Sequence, residues 1–424
     1  MIDEILLATF VISIFTFVFW TVLGFMPERR HKLKNHPHIS VVVPAHDEES
    51  VIEETVRSIL DSDYPGRVEV VVVDDGSKDR TGDIVSKMAS EDERLRLIET
   101  DHLGKALAVN RGVEECSGEI VAFLDADSQL AGDALSNLAA PFSDPKVGAV
   151  SGIIRVVINR NPLVWFQDFE YILSSMWRYI FDKLGCTYVL PGFAAFRREA
   201  LVNVGLFCTD TLSEDFDIGL KLHKAGWRLV MSKAVMYTNV PQTVGGLARQ
   251  RFRWGRGTVQ VIRKHWDMVL NPRYGFIGLY GLPNQIYFFV QSFFILPITF
   301  YQIFGGYMRW YVAHGNYLSL TVLQYFFASF SMYGTLQFIY NTLSGVWPMT
   351  PIFPYFIVSY ILNMLYNFLS VERIGRLNLR ILLVIFFLFP YYLLTLVYFV
   401  LPFLLEVLPW TRMGGHINIW EKNR

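Results

Sequence analysis

The chain has 424 residues, room for two or three domains, and its 38 Lys and Arg against 39 Asp and Glu leave a formal net charge of −1. That balance removes the electrostatic case for nucleic acid as a partner. A composition 52% hydrophobic and 18% charged, with mean hydropathy +0.31, departs from that of a wholly soluble domain, in which about a quarter of residues are charged.

The averages hide a split. Residues 27–272 hold nearly all the acidic residues and read as a soluble α/β domain, whereas 1–26 and 274–410 are dominated by Phe, Leu, Ile, Tyr and Val. The three cysteines, Cys116, Cys186 and Cys208, are odd in number and show no C-x-x-C spacing. Neither a zinc site nor a disulfide framework is indicated, and a reducing compartment fits.

Ile5 to Met26 is an uncharged run of 22 residues, close to the roughly 20 that span a bilayer. It is too long for a signal-peptide core and has no small-x-small cleavage site, so it is expected to stay in the protein. Asp3 and Glu4 precede it, and Arg29, Arg30, Lys32 and Lys34 follow. The positive-inside rule then puts residues 27 onward in the cytosol.

His38–Pro44 is a β-branched apolar run of the kind that forms a buried parallel strand. Glu48–Leu60 has helical spacing, Val68–Val73 reads as a second strand, and Ser77, Asp79 and Thr81 offer helix-start chemistry. A third strand at Arg96–Thr100, a helix over Gly104–Glu115 and a fourth strand at Ile120–Leu124 continue the alternation, which indicates an α/β domain with a parallel sheet. Ligands bind such sheets outside the carboxyl ends of the strands. Those ends carry Ala45-His46-Asp47-Glu48, Asp74-Asp75-Gly76-Ser77 and Asp125-Ala126-Asp127. One acidic strand end is commonly a helix cap; three together argue for a cleft. No G-x-G-x-x-G or Walker A sequence is present.

Farther on, Ser213-Glu214-Asp215 precedes a helix read over Ile218–Ala225, and its carboxylates suit either a cap at a positive helix end or a general base. Gln250, Arg253 and Trp254 fall at i, i+3 and i+4, on one helical face. An arginine there matches phosphate oxygens, and an indole offers a flat surface to a sugar ring. Between Gly245 and Leu270, Arg249, Arg253 and Arg256 share a face, while Leu247, Val259, Ile262 and Trp266 are available for another. The pattern fits a helix at a bilayer surface or an amphipathic helix covering a domain core, and the immediate run into apolar segments favours the first. Four further spans are expected at roughly 283–305, 318–341, 351–371 and 381–407. Against that count, the loop Glu372–Arg380 carries three arginines yet falls on the far side of the membrane.

Asp125 and Asp127 flank Ala126, so in an extended segment both carboxylates point the same way, as suits Mg²⁺ or Mn²⁺ with a diphosphate. Taken together, Pro44-Ala45-His46-Asp47-Glu48, Asp74-Asp75-Gly76-Ser77, Asp125-Ala126-Asp127, Ser213-Glu214-Asp215 and Gln250-x-x-Arg253-Trp254 occur in the order and spacing of membrane-embedded family 2 glycosyltransferases. The chain resembles their processive branch, which includes cellulose, hyaluronan, chitin and poly-N-acetylglucosamine synthases. The resemblance implies a GT-A fold, a nucleotide-sugar donor, usually UDP-linked, and inversion at the anomeric carbon. It assigns Glu48, Asp74 and Asp75 to the nucleoside, and Asp125 and Asp127 to sugar, diphosphate and metal, with Asp127 the foremost metal ligand. Asp215, beside Glu214, becomes the base. Gln250, Arg253 and Trp254 bind diphosphate and line the acceptor site, and Lys105 matches a donor-binding lysine. His46-Asp47 replaces the usual Tyr-Asn, Ser213 the usual Thr, and Leu190-Pro191-Gly192-Phe193 matches no acceptor motif.

The implied organisation is a transmembrane helix (1–27), a cytosolic GT-A domain (28–244), interfacial amphipathic helices bearing the Gln-x-x-Arg-Trp motif (245–275), about four transmembrane helices (276–410) and a cytosolic tail (411–424), in a multi-pass protein of the cell membrane. The implied activity is metal-dependent transfer of a sugar to a growing glycan or lipid-linked acceptor, with the glycan passed through the protein's own spans. The alternatives are transfer of a single sugar to a lipid carrier, or a transporter or scaffold with an inactive domain. The spans contain Glu406 as nearly their only acid, which leaves no charge relay for ion-coupled transport.

Overall fold

A computed structural model describes residues 2–28, 31–33, 35–314 and 319–407. Arg29, Arg30 and Lys34 of the basic stretch, and Arg412, Lys422 and Arg424 of the tail, lie outside the described residues. Helix α1 (Ile2–Phe25) is followed by β1 (Ile39–Ala45), α2 (Ile52–Leu60), β2 (Val68–Asp74), α3 (Thr81–Glu91), β3 (Leu95–Glu99), α4 (Lys105–Glu115) and β4 (Ile120–Leu124). Both β1 and β2 are buried at every position, because helices cover both faces of the sheet. Helix α2 starts later than the spacing suggests, since Glu48 and Glu49 belong to a loop that binds the next one.

The chain continues through β5 (Ser128–Leu130), α5 (Ala134–Ala139), β6 (Val147–Val156), α6 (Pro162–Lys183), β7 (Phe193–Arg197), α7 (Arg198–Asn203), α8 (Glu214–Lys224) and β8 (Arg228–Thr238). The strands form one sheet in the order β3-β2-β1-β4-β7-β6-β8-β5. It is parallel from β3 through β4, and β7 enters antiparallel between β4 and β6. The sheet is therefore mixed, and the parallel half is the half legible in the sequence.

Helix α9 (Val244–Lys264) follows, its first turn capped by the Thr243 side chain, which accepts from the Gly246 amide. Then come α10 (Leu282–His314), α11 (Leu320–Ser329), α12 (Met332–Leu343), α13 (Phe353–Ile374), α14 (Leu379–Phe386) and α15 (Leu388–Val407). The apolar helices do not hang off the catalytic domain as a separate body. Trp20 of α1, Met176 and Phe181 of α6, Phe216 of α8, Ile262 of α9 and Tyr366 of α13 share one buried cluster.

Among the described residues four helical stretches are long and apolar enough to cross a membrane: Ile2–Phe25, Ile277–Arg309, Phe353–Ile374 and Leu388–Glu406. The span expected at 318–341 is instead two helices of 10 and 12 residues, α11 and α12, broken at Phe330 and Ser331. Neither reaches the roughly 20 residues a crossing takes. The position expected for the Glu372–Arg380 loop is corrected as well. The Arg373 guanidinium donates to the Phe25 carbonyl (3.4 Å), Arg155 of β6 donates to the Ile374 carbonyl (3.3 Å), and Arg380 reaches the buried Asp168 carboxylate of α6 (3.4 Å). Two of the loop's arginines, Arg373 and Arg380, thus lie against α1 and the catalytic domain.

Helix α15 runs beside α9 and in the same direction. Leu247 packs with Leu388 and Tyr391, a side chain at Gly255 would meet Pro402, and Arg256 pairs with Glu406. Of the residues expected on the apolar face of α9, Leu247, Val259 and Ile262 are buried, while Trp266 falls in a 3₁₀ turn beyond the helix and is exposed.

Candidate active site

The carboxyl ends of β1 and β2 carry two loops that bind each other through main-chain groups. Asp47 accepts from the amides of Lys78 (2.7 Å) and Asp79 (3.4 Å), and the Asp47 and Glu48 amides donate to Ser77 (3.0 Å) and Thr81 (2.8 Å). Asp74 accepts from the Ser77 amide at 3.0 Å. Glu48 and Asp74 are both buried here.

Asp75 is completely buried, and its carboxylate organises the next loop by accepting from the Thr100 hydroxyl (2.8 Å) and from the amides of Leu103 (2.6 Å) and Gly104 (2.8 Å). Its carbonyl accepts from Nδ1 of both His46 (2.8 Å) and His102 (3.1 Å). A carbonyl only accepts, so each imidazole carries its proton on Nδ1. The two rings lie 4.3 Å apart between centroids. Gly104, at φ +91°, turns this loop into α4, whose first residue is Lys105.

Lys105 joins the strand-end loops to the rest of the site. Its ammonium lies 2.6 Å from Asp125 Oδ1 and 3.9 Å from Glu214 Oε1. Burial pulls the lysine down, but the charges of Asp125 and Glu214 outweigh it and hold the ammonium above the usual lysine value. Gly192 approaches so closely that a side chain there would overlap the Asp125 carboxylate. The Pro191-Gly192 turn is therefore a wall of this site, a role that its sequence alone left unassigned.

Helix α8 begins at Glu214, earlier than expected, which places Glu214 and Asp215 in its first turn, where carboxylates are favoured. Ser213 makes no side-chain cap; instead Asp215 Oδ1 accepts from the Phe216 amide at 2.9 Å. Burial first, and then the Glu214 charge, push the Asp215 carboxyl up to about 7 against the opposing pull of Lys105 and Arg253. An acid poised near neutrality between a second acid and two cations is suited to exchange a proton with a ligand hydroxyl.

Helix α9 closes the other side. Arg253 is near enough for its charge to act on both Asp215 and Lys105. Trp254 takes the Arg251 guanidinium over its ring at 4.2 Å and meets Tyr171 of α6 edge-on at 6.4 Å. Arg251 is fully buried, donating to Gln250 (2.6 Å) and pairing with Glu170 of α6 (2.6 Å), which also accepts from the Tyr391 hydroxyl of α15. Burial pushes the Tyr171 phenol up to about 12, helped by Glu170, Asp127 and Asp125 and opposed by Arg251, so it remains a donor at neutral pH.

The structure thus brings Lys105, Asp125, Glu214, Asp215 and Arg253 into one cluster, with Asp127, Tyr171, Gln250 and Trp254 alongside. Glu48, Asp74 and Asp75 occupy the adjoining strand ends. Arg251, Glu170 and Tyr171 were not singled out from sequence, and Gly192 was named there without a role. Arg251 had a signal, lying at i, i+3 from Trp254 on a helix, whereas Glu170 and Tyr171 had none.

As ligands for a divalent ion, Asp125 and Asp127 offer the hard oxygens that Mg²⁺ and Mn²⁺ prefer. Asp127 Oδ1 accepts from the Ser128 hydroxyl at 3.4 Å, and Asp125 Oδ1 accepts from the Lys105 ammonium at 2.6 Å. The donor set of these two carboxylates fits such an ion. A different acidic group, Cys208, Asp210 and Asp217, is internally neutralised, because the Lys264 ammonium lies 2.8 Å from Asp210 and 2.9 Å from Asp217.

The chain is similar to known proteins in sequence and in fold. Residues 40–205 match the family described as glycosyl transferase family 2. The chain is 31% identical over 306 residues to the poly-beta-1,6-N-acetyl-D-glucosamine synthase of Staphylococcus epidermidis, covering 69% of this chain and 71% of that protein. It is 29% identical over 276 residues to the synthase of the same name from Staphylococcus aureus strain COL, covering 61% and 67%. In fold it is similar to a mannosyltransferase of Pyrobaculum calidifontis solved with GDP-Man and Mn²⁺, at a TM-score of 0.59 and 24% identity over 88% of this chain and 98% of that one. The mixed sheet is thus a GT-A-type sheet, and the chain belongs to the family 2 glycosyltransferases, with homology to the membrane polysaccharide synthases.

Proposed function

We propose that the protein transfers a sugar from a nucleotide-sugar, UDP-linked, to the end of a growing glycan at the cytosolic face of the cell membrane, with inversion. The observation that carries this reading is the convergence of Lys105, Asp125, Glu214, Asp215 and Arg253 at one place between the strand ends and α9. Glu48, Asp74 and Asp75 hold the nucleoside side, and Lys105, Gln250 and Arg253 face the diphosphate. Asp215 takes the proton from the acceptor hydroxyl as its oxygen bonds to the anomeric carbon, and the bond from that carbon to the diphosphate breaks, with the electron pair leaving on the nucleoside diphosphate. A Mg²⁺ or Mn²⁺ held by Asp127 and Asp125 would stabilise negative charge on that leaving group. Mn²⁺ in the fold neighbour supports the choice of metals. Trp254, with Tyr171 at its edge, offers the flat face for the acceptor sugar.

The division of labour follows: α1 and the later apolar helices anchor the protein, residues 28–244 carry donor chemistry, and α9 at the membrane surface presents the acceptor side. Passage of the glycan through the spans is supported by a cavity of about 320 Å³ between α1, α10 and α13, whose mainly apolar wall, with Phe10, Phe17, Phe288 and Phe356, also carries Thr9, Gln291 and Asn363 and no charged residue. The Tyr287 and Tyr360 hydroxyls at its wall have no partner among the described residues. Unmet hydroxyls in apolar surroundings are costly, and a neutral polyol would meet them.

The test is incubation of the purified protein with a panel of UDP- and GDP-sugars, with and without Mn²⁺, followed by sizing of the product. A ladder of lengthening glycan is expected with one UDP-sugar and the metal. A single discrete glycolipid would replace the polymer reading with single-sugar transfer, and no transfer from any donor would remove the activity itself.

A further inference from the structure

In its last turn helix α15 carries Glu406, the only acidic residue between Glu372 and Glu421. Three residues of one α9 face grip it. Arg256 Nε lies 2.6 Å and Gln260 Nε2 3.0 Å from Glu406 Oε1, and the Arg263 guanidinium donates to the Glu406 carbonyl. Positions 256, 260 and 263 stand at i, i+4 and i+7, so they form a single stripe. The Glu406 side chain is only 12% exposed, and a carboxylate so enclosed at the end of an apolar helix is retained only where its partners are well placed.

The Gln260 amide has a second partner. Its Oε1 accepts from the Leu212 amide at 3.0 Å. One helical turn earlier, Gly257 lies so close that a side chain there would overlap the Ser213 hydroxyl. The segment leading into Glu214 and Asp215 therefore rests on α9 through one hydrogen bond and one close backbone approach. The carboxylate that orients the hydrogen-bonding amide comes from α15. Gln260 has one oxygen and one nitrogen to offer. With its nitrogen fixed on Glu406, its oxygen must face Leu212.

We infer that Glu406 is a positioning residue for transfer: through Gln260 it holds the backbone of Leu212, and hence Asp215, at the height the acceptor requires. The last apolar helix is in this way a strut of the active site. The role rests on the reading of Asp215 as the base. It predicts a loss in kcat with little change in donor KM, because Glu406, Gln260 and Leu212 are not among the residues read as binding the donor.

The relay can be reversed in sign, which provides a test that general packing cannot imitate. Gln260→Glu removes the donor that Glu406 needs and sets two carboxylates together, and Glu406→Gln removes the charge that Arg256 and the Gln260 amide share, leaving one neutral amide oxygen in place of the carboxylate. With both changes, the new amide at 406 donates to the new carboxylate at 260, whose other oxygen still accepts from Leu212, and Arg256 keeps an anion beside it. Initial rates of transfer from the donor that supports synthesis are measured for wild type, both single variants and the double variant, with Asp215→Asn alongside. Each single variant is expected to lose about 10-fold or more in kcat, with donor KM within about 2-fold of wild type. The double variant is expected to return to within about 3-fold of wild type. Single variants that retain wild-type kcat, or a double variant no better than the worse single, overturn the relay. Activity surviving in Asp215→Asn overturns the base instead, so the two failures are separable. Should Glu406→Gln not accumulate, Gln260→Met, which spares the Arg256–Glu406 pair, must still lower kcat selectively; an unchanged kcat there also overturns the inference.

Discussion

The two sides of this active site are built in opposite ways. On the strand side, carboxylates are neutralised by main-chain amides close by in the fold: Asp75 by Leu103 and Gly104, Asp47 by Lys78 and Asp79. On the helix side, charges are matched to other charged side chains far apart in the chain, as Arg251 is with Glu170 and Arg256 with Glu406. The strand side is set by loop geometry, which survives most side-chain changes outside its few acids. The helix side depends on α6, α9 and α15 keeping their mutual positions, so whatever moves an apolar helix is felt at Asp215.

The sharpest way to break that contrast is Arg251→Met, which strands Glu170 without its cation. The loss of a buried partner costs about 3–5 kcal/mol, read as a lowered thermal midpoint together with impaired transfer. Asp75→Asn acts on the other side. It replaces one acceptor oxygen with an amino group facing an amide donor, at a cost of about 1–3 kcal/mol, and it is expected to raise donor KM through misplacement of Lys105, with kcat less affected. His102→Ala removes one of two donors on the Asp75 carbonyl and is expected to weaken donor binding by about 0.5–1.5 kcal/mol, measured by titration calorimetry. An Arg251 variant of wild-type stability, or an Asp75 variant of wild-type donor KM, would erase the distinction.

The smallest effect is a displacement on the pH axis. Asp215 must be ionised to accept a proton, and its carboxyl is raised to about 7 by burial and by Glu214. The rate at limiting donor and acceptor should therefore fall as pH drops below about 7. Glu214→Gln, by removing the neighbouring charge, should move that limb to lower pH by under about one unit. Stability runs the other way. The folded state holds this proton above the usual carboxylate range, so the contribution is fully present below the unfolded value and is lost as pH rises to about 7. Thermal midpoints of Asp215→Asn should accordingly gain on wild type across that rise, and a constant difference would refute the perturbed carboxyl.

Legibility in the sequence followed the same divide. Ile120–Leu124 was found at its true limits, and β1 and β2 nearly so, because parallel strands buried on both faces are continuous apolar runs with acids at their ends, whereas the partly exposed edge strand β3 was placed one residue late. The strands from β5 onward carry no such signature. The order β7-β6-β8 is set by long-range pairing, as in Ala195 opposite both Ala122 and Val150, which no local pattern encodes. Apolar content around 318–341 was read correctly, but the break at Phe330 and Ser331 contains neither Gly nor Pro to announce it. The contacts of Arg373 with Phe25 and of Arg380 with Asp168 were not foreseen by the span count. Glu406 stood out as an isolated acid in an apolar segment, yet its partners Arg256 and Gln260 became visible only once α15 was laid beside α9.

The central claim is that both sides meet on Asp215 as the base of glycosyl transfer. It is tested most directly by measuring sugar transfer and donor affinity side by side in wild type and Asp215→Asn. The account predicts a fall in transfer of about 10²–10⁴-fold with donor affinity within about 3-fold of wild type, since the carboxylate acts on the acceptor. Transfer within about 10-fold of wild type, at unchanged donor affinity, would contradict it.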